Sequence, residues 1–360
     1  MVRRIAFAVP GDLATPTGGY AYDANIVAGL RARNWEVDVH DLGAHFPRPN
    51  ARALHAARNA LAVIRPGLPL VIDGLAFGVM PDIAPALAAR HRLIALVHHP
   101  LALETGLSAD EASAFRASER EALSFAHRIV ATSPSTARLL MSDYAVPADR
   151  IEVVRPGIDF ETVKKRTPHV RADVPLLLSV GAIVPRKGYD VLVDALGGMK
   201  GLQWQLVIAG DRTRDTEAAM RLDRDVARFG LEDRVRIEGA VSAQRLAELY
   251  ASADIFVLAS RHEGYGMAYA EALAHGLPVV GTTAGAIPDT VPPEAGLLVP
   301  PDDVAALGAA LRIVIGDAGT HARLAAGADK VLLPTWAEAA QLFESAIETA
   351  AMETVPEAPA

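Results

Sequence analysis

Short apolar runs recur along this chain, separated by longer stretches in which apolar positions return at helical spacing. In the first half, Arg4–Val9, Glu36–Asp41, Leu70–Asp73, Leu93–Val97 and Arg128–Thr132 read as strands, and several are unbroken runs of Val, Ile and Leu. Helical stretches lie between them, at Tyr20–Arg33, Arg52–Ile64, Met80–Arg90 and Ser108–Ala126. The rhythm then restarts with Pro175–Val180, Trp204–Ala209, Val235–Glu238, Asp254–Leu258, Pro278–Gly281 and Gly296–Val299. Continuous apolar strands alternating with helices imply parallel sheets covered on both faces. Between the halves, Phe160–Asp173 is charged, carries Lys164-Lys165-Arg166 and is broken by Pro168, which reads as an interdomain linker.

The expected fold class is therefore α/β, with two doubly wound, Rossmann-like parallel-sheet domains facing a cleft. Residues 1–172 form the first domain and residues 173–335 the second. A helix beginning at Pro334-Thr335-Trp336 and running over about 336–350 either closes the second domain or packs back on the first. Residues 351–360, with Pro356 and Pro359 and little apolar content, are expected to form a disordered tail.

Composition narrows the function classes. With 360 residues, 51% of them hydrophobic, the chain can build two cores. A formal net charge of −8 with no compensating basic stripe argues against nucleic acid as a partner. The absence of cysteine removes disulfides, thiolate catalysis and thiolate-ligated metals together, and suits a reducing cytoplasm. Met1–Pro10 is too short an apolar run for a signal peptide, because Pro10-Gly11-Asp12 ends it. No window approaches the roughly 20 apolar residues of a transmembrane segment. The expectation is a cytoplasmic protein, with a peripheral place at the membrane as the alternative.

In doubly wound sheets, ligands bind outside the carboxyl ends of the strands, so the loops there should carry the chemistry. After the first strand, Gly18-Gly19 precedes a helix and lets backbone approach a ligand, although taken alone an ordinary tight turn is the favoured reading. After Leu93–Val97 come His98 and His99. They point to opposite sides of an extended chain, and no metal-ligand spacing accompanies them in the sequence. After the first strand of the second half, Gly181 leads to Arg186-Lys187-Gly188, adjacent cations suited to phosphate. After Asp254–Leu258 comes Arg261-His262-Glu263-Gly264-Tyr265-Gly266-Met267, then a helix bearing Glu271. A glycine loop opening a helix directs backbone N–H groups at an anion, while the two glutamates can reach sugar hydroxyls. Asp223-Arg224-Asp225 looks like a metal-binding D-x-D, but sits in an amphipathic stretch and reads as a solvated helix face.

Taken in order, these segments resemble the family 4 glycosyltransferases, retaining enzymes of GT-B architecture. The resemblance runs through Gly18-Gly19, Thr132-Ser133, Val154-Arg155-Pro156-Gly157-Ile158-Asp159, Gly181 to Gly188, Leu206 to Asp211, Val235 to Gly239, Tyr250 to Asp254, the Glu263/Glu271 segment and Gly285-Ala286-Ile287-Pro288-Asp289. It departs from the family's pattern at Ala286, Asp289 and Arg155, and is weaker in the first half, where acceptors differ. What it implies is a nucleotide-sugar donor and the following roles. Arg186 and Lys187 neutralise the leaving diphosphate. Gly18, Gly19, Gly181, Tyr265, Gly266 and Met267 belong to the donor site, Glu263 contacts the sugar and Glu271 the ribose. His98 rather than His99 lies near the reacting centre. The resemblance also implies a metal-independent, front-face reaction without a cofactor.

Other classes remain in view: a non-catalytic nucleotide-sugar-binding protein, or another GT-B enzyme such as an epimerase or a phosphorylase. Arg52, His55, Arg58 and Arg65 offer only a thin basic surface for lipid, so a soluble acceptor is favoured.

Overall fold

The computed structural model describes residues 3–15, 17–104, 106–163 and 174–352, which fall into two compact units. The first unit runs through Gly157 and takes up the chain again at Pro334; the second is Ile158–Leu333. Most of the expected linker, residues 164–173, lies outside the described residues.

The first unit holds one six-stranded sheet: β1 (Arg3–Val9), β2 (Trp35–Asp41), β3 (Leu70–Asp73), β4 (Leu93–Val97), β5 (Arg128–Ala131) and β6 (Ile151–Val153). Their order is β2-β1-β3-β4-β5-β6, and each pair is parallel. The strands are apolar on both faces because both are covered. Ala6, Ala8, Ile72, Ala95 and Ala131 pack on one side, while Ile5, Phe7, Val9, Val71, Leu96 and Val130 pack on the other. Helix Gly18–Ala32 and the C-terminal helix Trp336–Met352 share the second side, where the Phe7 and Phe343 rings lie 6.1 Å apart. The two helices approach so closely that a Cβ at Gly29 would lie 2.4 Å from the Ala340 Cβ. Buried Glu344 fastens this contact by pairing with Arg3 and Arg33 and accepting from the Trp35 indole at 3.1 Å.

The second unit repeats the scheme with β7 (Leu176–Val180), β8 (Gln205–Ala209), β9 (Val235–Gly239), β10 (Ile255–Val257), β11 (Val279–Thr282) and β12 (Gly296–Val299). The order is β12-β11-β10-β7-β8-β9, again parallel throughout. Each sheet therefore has a point where the direction of winding reverses, between β1 and β3 in the first unit and between β7 and β10 in the second. The crevice outside the carboxyl ends at such a point is where α/β sheets bind ligands.

The sequence pattern departs from the structure in a few places. The expected helix Met80–Arg90 shrinks to Ala84–Ala88, because Pro81 and Pro85 bring no N–H: the helix starts only after Pro81 and holds Pro85 in its first turn, where no intrahelical N–H is needed. Helix Pro134–Tyr144, capped by Ser133, and the short strand β6 went unread. The C-terminal helix continues to Met352, so Ala351 and Met352 are helical rather than part of a tail; residues 353–360 lie outside the described residues.

Candidate active site

In the second unit, β7 and β10 are hydrogen-bonded neighbours, with Leu177 opposite Ile255 and Leu178 opposite Phe256. Their carboxyl ends deliver Arg186, Lys187 and Glu263 to one place. Lys187 Nζ donates to Glu263 Oε1 at 2.7 Å, and Arg186 Nη1 donates to Glu263 Oε2 at 3.1 Å and to the His262 carbonyl at 2.8 Å. Ser260 Oγ adds a bond to Glu263 Oε1 at 2.6 Å. Glu263 is only 6% exposed. Burial alone would raise its carboxyl, but Lys187 and Arg186 outweigh that and bring it down to about 2. Lys187 is itself lowered from the ordinary ammonium value, chiefly by burial. Two cations facing one carboxylate leave a surplus of positive charge at the end of the strands.

The backbone here is built for close approach. Gly188 has φ +65°, and a Cβ there would lie 2.0 Å from the Ala259 carbonyl oxygen. A Cβ at Gly181 would meet Lys187 Cε at 3.0 Å, so that glycine gives the lysine its path. Gly266, at φ +87°, turns the chain into helix Met267–Ala274; its carbonyl accepts from Tyr269 N–H at 2.9 Å and Ala270 N–H at 3.2 Å, and Met267 and Ala268 are the first-turn positions whose N–H groups have no partner within the helix. Tyr265 lies in the loop just before that helix. It is buried against Ile158 and Ala270, and its carbonyl accepts from Thr290 Oγ1 at 2.8 Å. Half-buried Glu271, in the same helix, accepts from the Tyr250 hydroxyl at 2.8 Å, and burial raises its pKa.

Arg261 couples the two loops. Its guanidinium clamps Asp190 through two bonds of 3.0 Å and 2.8 Å and pairs with Asp302 at 2.7 Å, while its backbone N–H donates to the Arg186 carbonyl at 2.8 Å. The Glu263 carbonyl accepts from Ala286 N–H at 2.9 Å, an approach that requires Gly285, where a Cβ would lie 2.3 Å from that oxygen. Asp223 and Asp225 stand on helix Thr216–Arg228 beside Arg212 and Arg228, and Asp223 is exposed.

The first unit gathers Gly18, Gly19 and His98. Thr17 caps helix Gly18–Ala32 by accepting from Tyr20 N–H at 3.2 Å. An ideal Cβ at Gly19 would sit 3.5 Å from His98 Cδ2. Sequence spacing showed no acidic partner for the histidines, but the fold supplies two. His98 Nε2 lies 3.2 Å from Asp23 Oδ1, on helix Gly18–Ala32, and 3.3 Å from Asp73 Oδ2, at the end of β3. The carboxylates are 0% and 1% exposed. Asp73 Oδ1 also accepts from Leu75 N–H at 2.7 Å, whereas neither Asp23 oxygen has an aligned hydrogen-bond donor among the described residues. The charged form of His98 is opposed by burial, but Asp23 and Asp73 outweigh it and raise its pKa. His99 is separately engaged, 2.6 Å from Glu104 Oε1.

Asp23, Asp73, Tyr250, Ser260 and Arg261 are the participants that sequence reasoning missed. Asp23 left a trace: it occupies a position on the helical stripe of Tyr22, Ile26, Val27 and Leu30, where a carboxylate is out of place.

Comparison with known proteins adds the following. A model described as Glycosyltransferase Family 4 matches residues 13–162, and one described as Glycosyl transferases group 1 matches residues 174–317. A D-inositol 3-phosphate glycosyltransferase of Xylanimonas cellulosilytica is 33% identical over 224 residues, covering 58% of this chain and 54% of that protein. An MMP alpha-(1->4)-mannosyltransferase of Mycolicibacterium hassiacum is 29% identical over 284 residues, covering 74% and 66%. The chain thus spans little more than half the length of the first relative and just under two thirds of the second. Among solved structures, sucrose-phosphate synthase from Thermosynechococcus elongatus superposes with a TM-score of 0.80 at 22% identity, covering 96% of this chain and 98% of the other. Anabaena HepE in complex with UDP and glucose gives 0.74 at 18% identity, covering 96% and 100%. At these identities the likeness establishes the fold.

Proposed function

Because the chain belongs to the glycosyltransferases of group 1 and family 4, with the GT-B fold, we propose that it moves a sugar from a nucleoside-diphosphate donor to an acceptor, with retention at the anomeric carbon. The observation that carries this reading is the meeting of Arg186 and Lys187 with Glu263 at the reversal point between β7 and β10. Breaking a glycosyl–phosphate bond builds negative charge on the departing diphosphate, and a pre-placed surplus of positive charge stabilises it without reorganisation at the moment of reaction. Arg186 and Lys187 take that role, and with two cations built in, the scheme requires neither a metal ion nor a cofactor. Gly181 and the N–H groups around Gly266 and Met267 hold the donor's phosphates and sugar. Glu271, steadied by Tyr250, binds the ribose hydroxyls.

Glu263 orders the two cations and contacts the donor sugar. Its carboxylate accepts from Lys187, Arg186 and Ser260, an arrangement that favours a front-face path over a covalent glycosyl-enzyme, which needs a carboxylate free to attack. His98 is the group of the first unit assigned to the transfer step. A soluble acceptor is favoured. Arg58, one of the residues of the thin basic surface in the first half, is already paired with Asp82.

Melting curves with UDP-, GDP- and ADP-sugars test the donor class, because a ligand of the folded state raises the transition by mass action. UDP-glucose comes first, since HepE is described with UDP and glucose. One donor family should stabilise the protein and be turned over, giving a product whose anomeric configuration by NMR matches the donor's. Inversion, or no stabilisation by any nucleotide sugar, would overturn the reading.

A further inference from the structure

We propose that Asp23 and Asp73 are positioning residues that fix the His98 ring with Nε2 turned inward, leaving Nδ1–H as the donor offered to the transferring sugar. The inference rests on the assignment of His98 to transfer made above, and adds which ring nitrogen acts and in what protonation state.

The geometry leaves His98 little freedom. Asp23 and Asp73 flank Nε2 at 3.2 Å and 3.3 Å. The Tyr22 ring meets the imidazole edge-on, with centroids 5.3 Å apart at 84°, and Tyr22 is itself held by its hydroxyl to the Val154 carbonyl at 3.0 Å. Thr132 Oγ1 donates to the His98 carbonyl at 3.0 Å, fixing the backbone. Gly19 closes over the Cδ2–Nε2 edge, where an ideal Cβ would lie 3.5 Å and 3.6 Å from those atoms. The side chain is nevertheless 15% exposed. Nε2 is shut from water, so the open edge is the one carrying Nδ1, which has no hydrogen-bond partner among the described residues.

The chemistry of the partners then sets the proton. Burial pushes the Asp23 carboxyl up to about 7 against the pull of His98, and an ionised carboxylate only accepts, so hydrogen on the nitrogen between Asp23 and Asp73 is what favours their charged forms. Removing that proton would leave the two buried carboxylates facing one another without a cation beside them; Nε2 lies within ion-pair distance of both, and neither oxygen of Asp23 has an aligned donor among the described residues. The charged groups facing the ring are Asp23 from helix Gly18–Ala32 and Asp73 from β3; His99, next in the chain, is engaged with Glu104. His98 therefore stays an imidazolium at neutral pH and acts as a hydrogen-bond donor and fixed charge. It does not act as a general base.

The test uses the full-length protein with 15N-labelled histidine. The wild type should show His98 protonated on both nitrogens through neutral pH, with a midpoint above the ordinary histidine range. Asp23→Asn should lower that midpoint by about one unit or more. It should also cut kcat roughly tenfold to a hundredfold, with the donor KM changed less than about twofold. Asp73→Ser, which keeps a hydroxyl to cap the short helix at Leu75, should lower the midpoint in the same direction, guarding against a folding defect in the first variant. A neutral wild-type ring protonated on Nδ1, or an unmoved midpoint in both variants, would overturn the proposal. So would stabilisation of the wild type by Mn2+ or Zn2+ that Asp23→Asn abolishes, because the three ligand atoms lie within 4.8 Å of one another and a metal ion would then be their counter-charge. Full activity in His98→Ala would sink the parent assignment alone, leaving the NMR result to stand for the orientation.

Discussion

The two units use one architecture to bury opposite charge inventories. At the reversal point of the second sheet, two cations enclose one carboxylate, whereas near that of the first, two carboxylates enclose one histidine. The second arrangement drives its single acid, Glu263, down to about 2, and the first drives its single base, His98, upward. In each case the minority group is held charged by a majority of opposite sign, against the burial that would neutralise it. The surplus differs: positive in the second unit, suited to a departing diphosphate, and negative in the first, suited to fixing a proton on a ring.

The contrast is broken most directly at the cations. Arg186→Ala and Lys187→Ala should each lower turnover about 100- to 1000-fold in steady-state assays with a nucleoside-diphosphate sugar. Arg186→Lys should be tolerated less well than Lys187→Arg, because only Arg can clamp two oxygens at once. Unchanged rates in both alanine variants would separate the positive surplus from the phosphate.

His98→Ala should reduce the rate about tenfold to a hundredfold while leaving the calorimetric affinity for free nucleoside diphosphate within about twofold. An equal loss of binding would erase the division of labour between the units. His99→Ala, which removes the contact with Glu104, should show its effect in the melting temperature.

Glu271→Ala should weaken donor binding by about 1.5–3 kcal/mol, read by calorimetry, with less effect on the chemical step. Tyr250→Phe removes only the neutral donor to that carboxylate and should cost about 0.5–1.5 kcal/mol of the same affinity.

The smallest effect is in pH-dependent stability, where the two units should differ in sign. Glu263 has a depressed folded pKa, so its contribution is present above its ordinary value of 4.5 and lost as pH falls towards about 2. His98 has a raised folded pKa, so its contribution is complete below its ordinary value of 6.5 and lost as pH rises through the folded value. Denaturant titrations of Glu263→Gln against wild type should converge at acid pH, and those of His98→Gln against wild type at alkaline pH. The reverse order would mean that the burial penalty wins over the partners in both units.

Much of this was legible along the chain. Eleven of the twelve described strands, to within a residue at either end, and the glycine loops follow from local patterning, because an apolar run between turn residues needs no distant information to declare itself. Ile151–Val153 went unread because three residues are too few to stand out. Arg186-Lys187 and Glu263 stood out by residue type beside strand ends, as did Glu271 by its place on the following helix. Met80–Arg90 misled because its apolar spacing is helical while its prolines are not. Asp23 and Asp73 were passed over because a carboxylate in sequence looks solvated until its surroundings are known.

By itself, then, the sequence determined the α/β alternation, the position of each loop that opens a helix, and the residue types available there, since these depend on neighbours a few positions apart. Only the tertiary structure decided which loops meet. Placing β10 against β7 brings Glu263 to cations 76 and 77 residues earlier in the chain, and placing β3 and β4 side by side brings Asp73 to His98. Strand order is fixed by how whole helices and sheets bury their apolar faces, so the charge a buried side chain carries is a property of the packed fold. A lone glutamate in water titrates near 4.5; the same residue stays ionised down to about 2 because Lys187, Arg186 and Ser260, which packing sets around it, outweigh the loss of water that by itself would raise it.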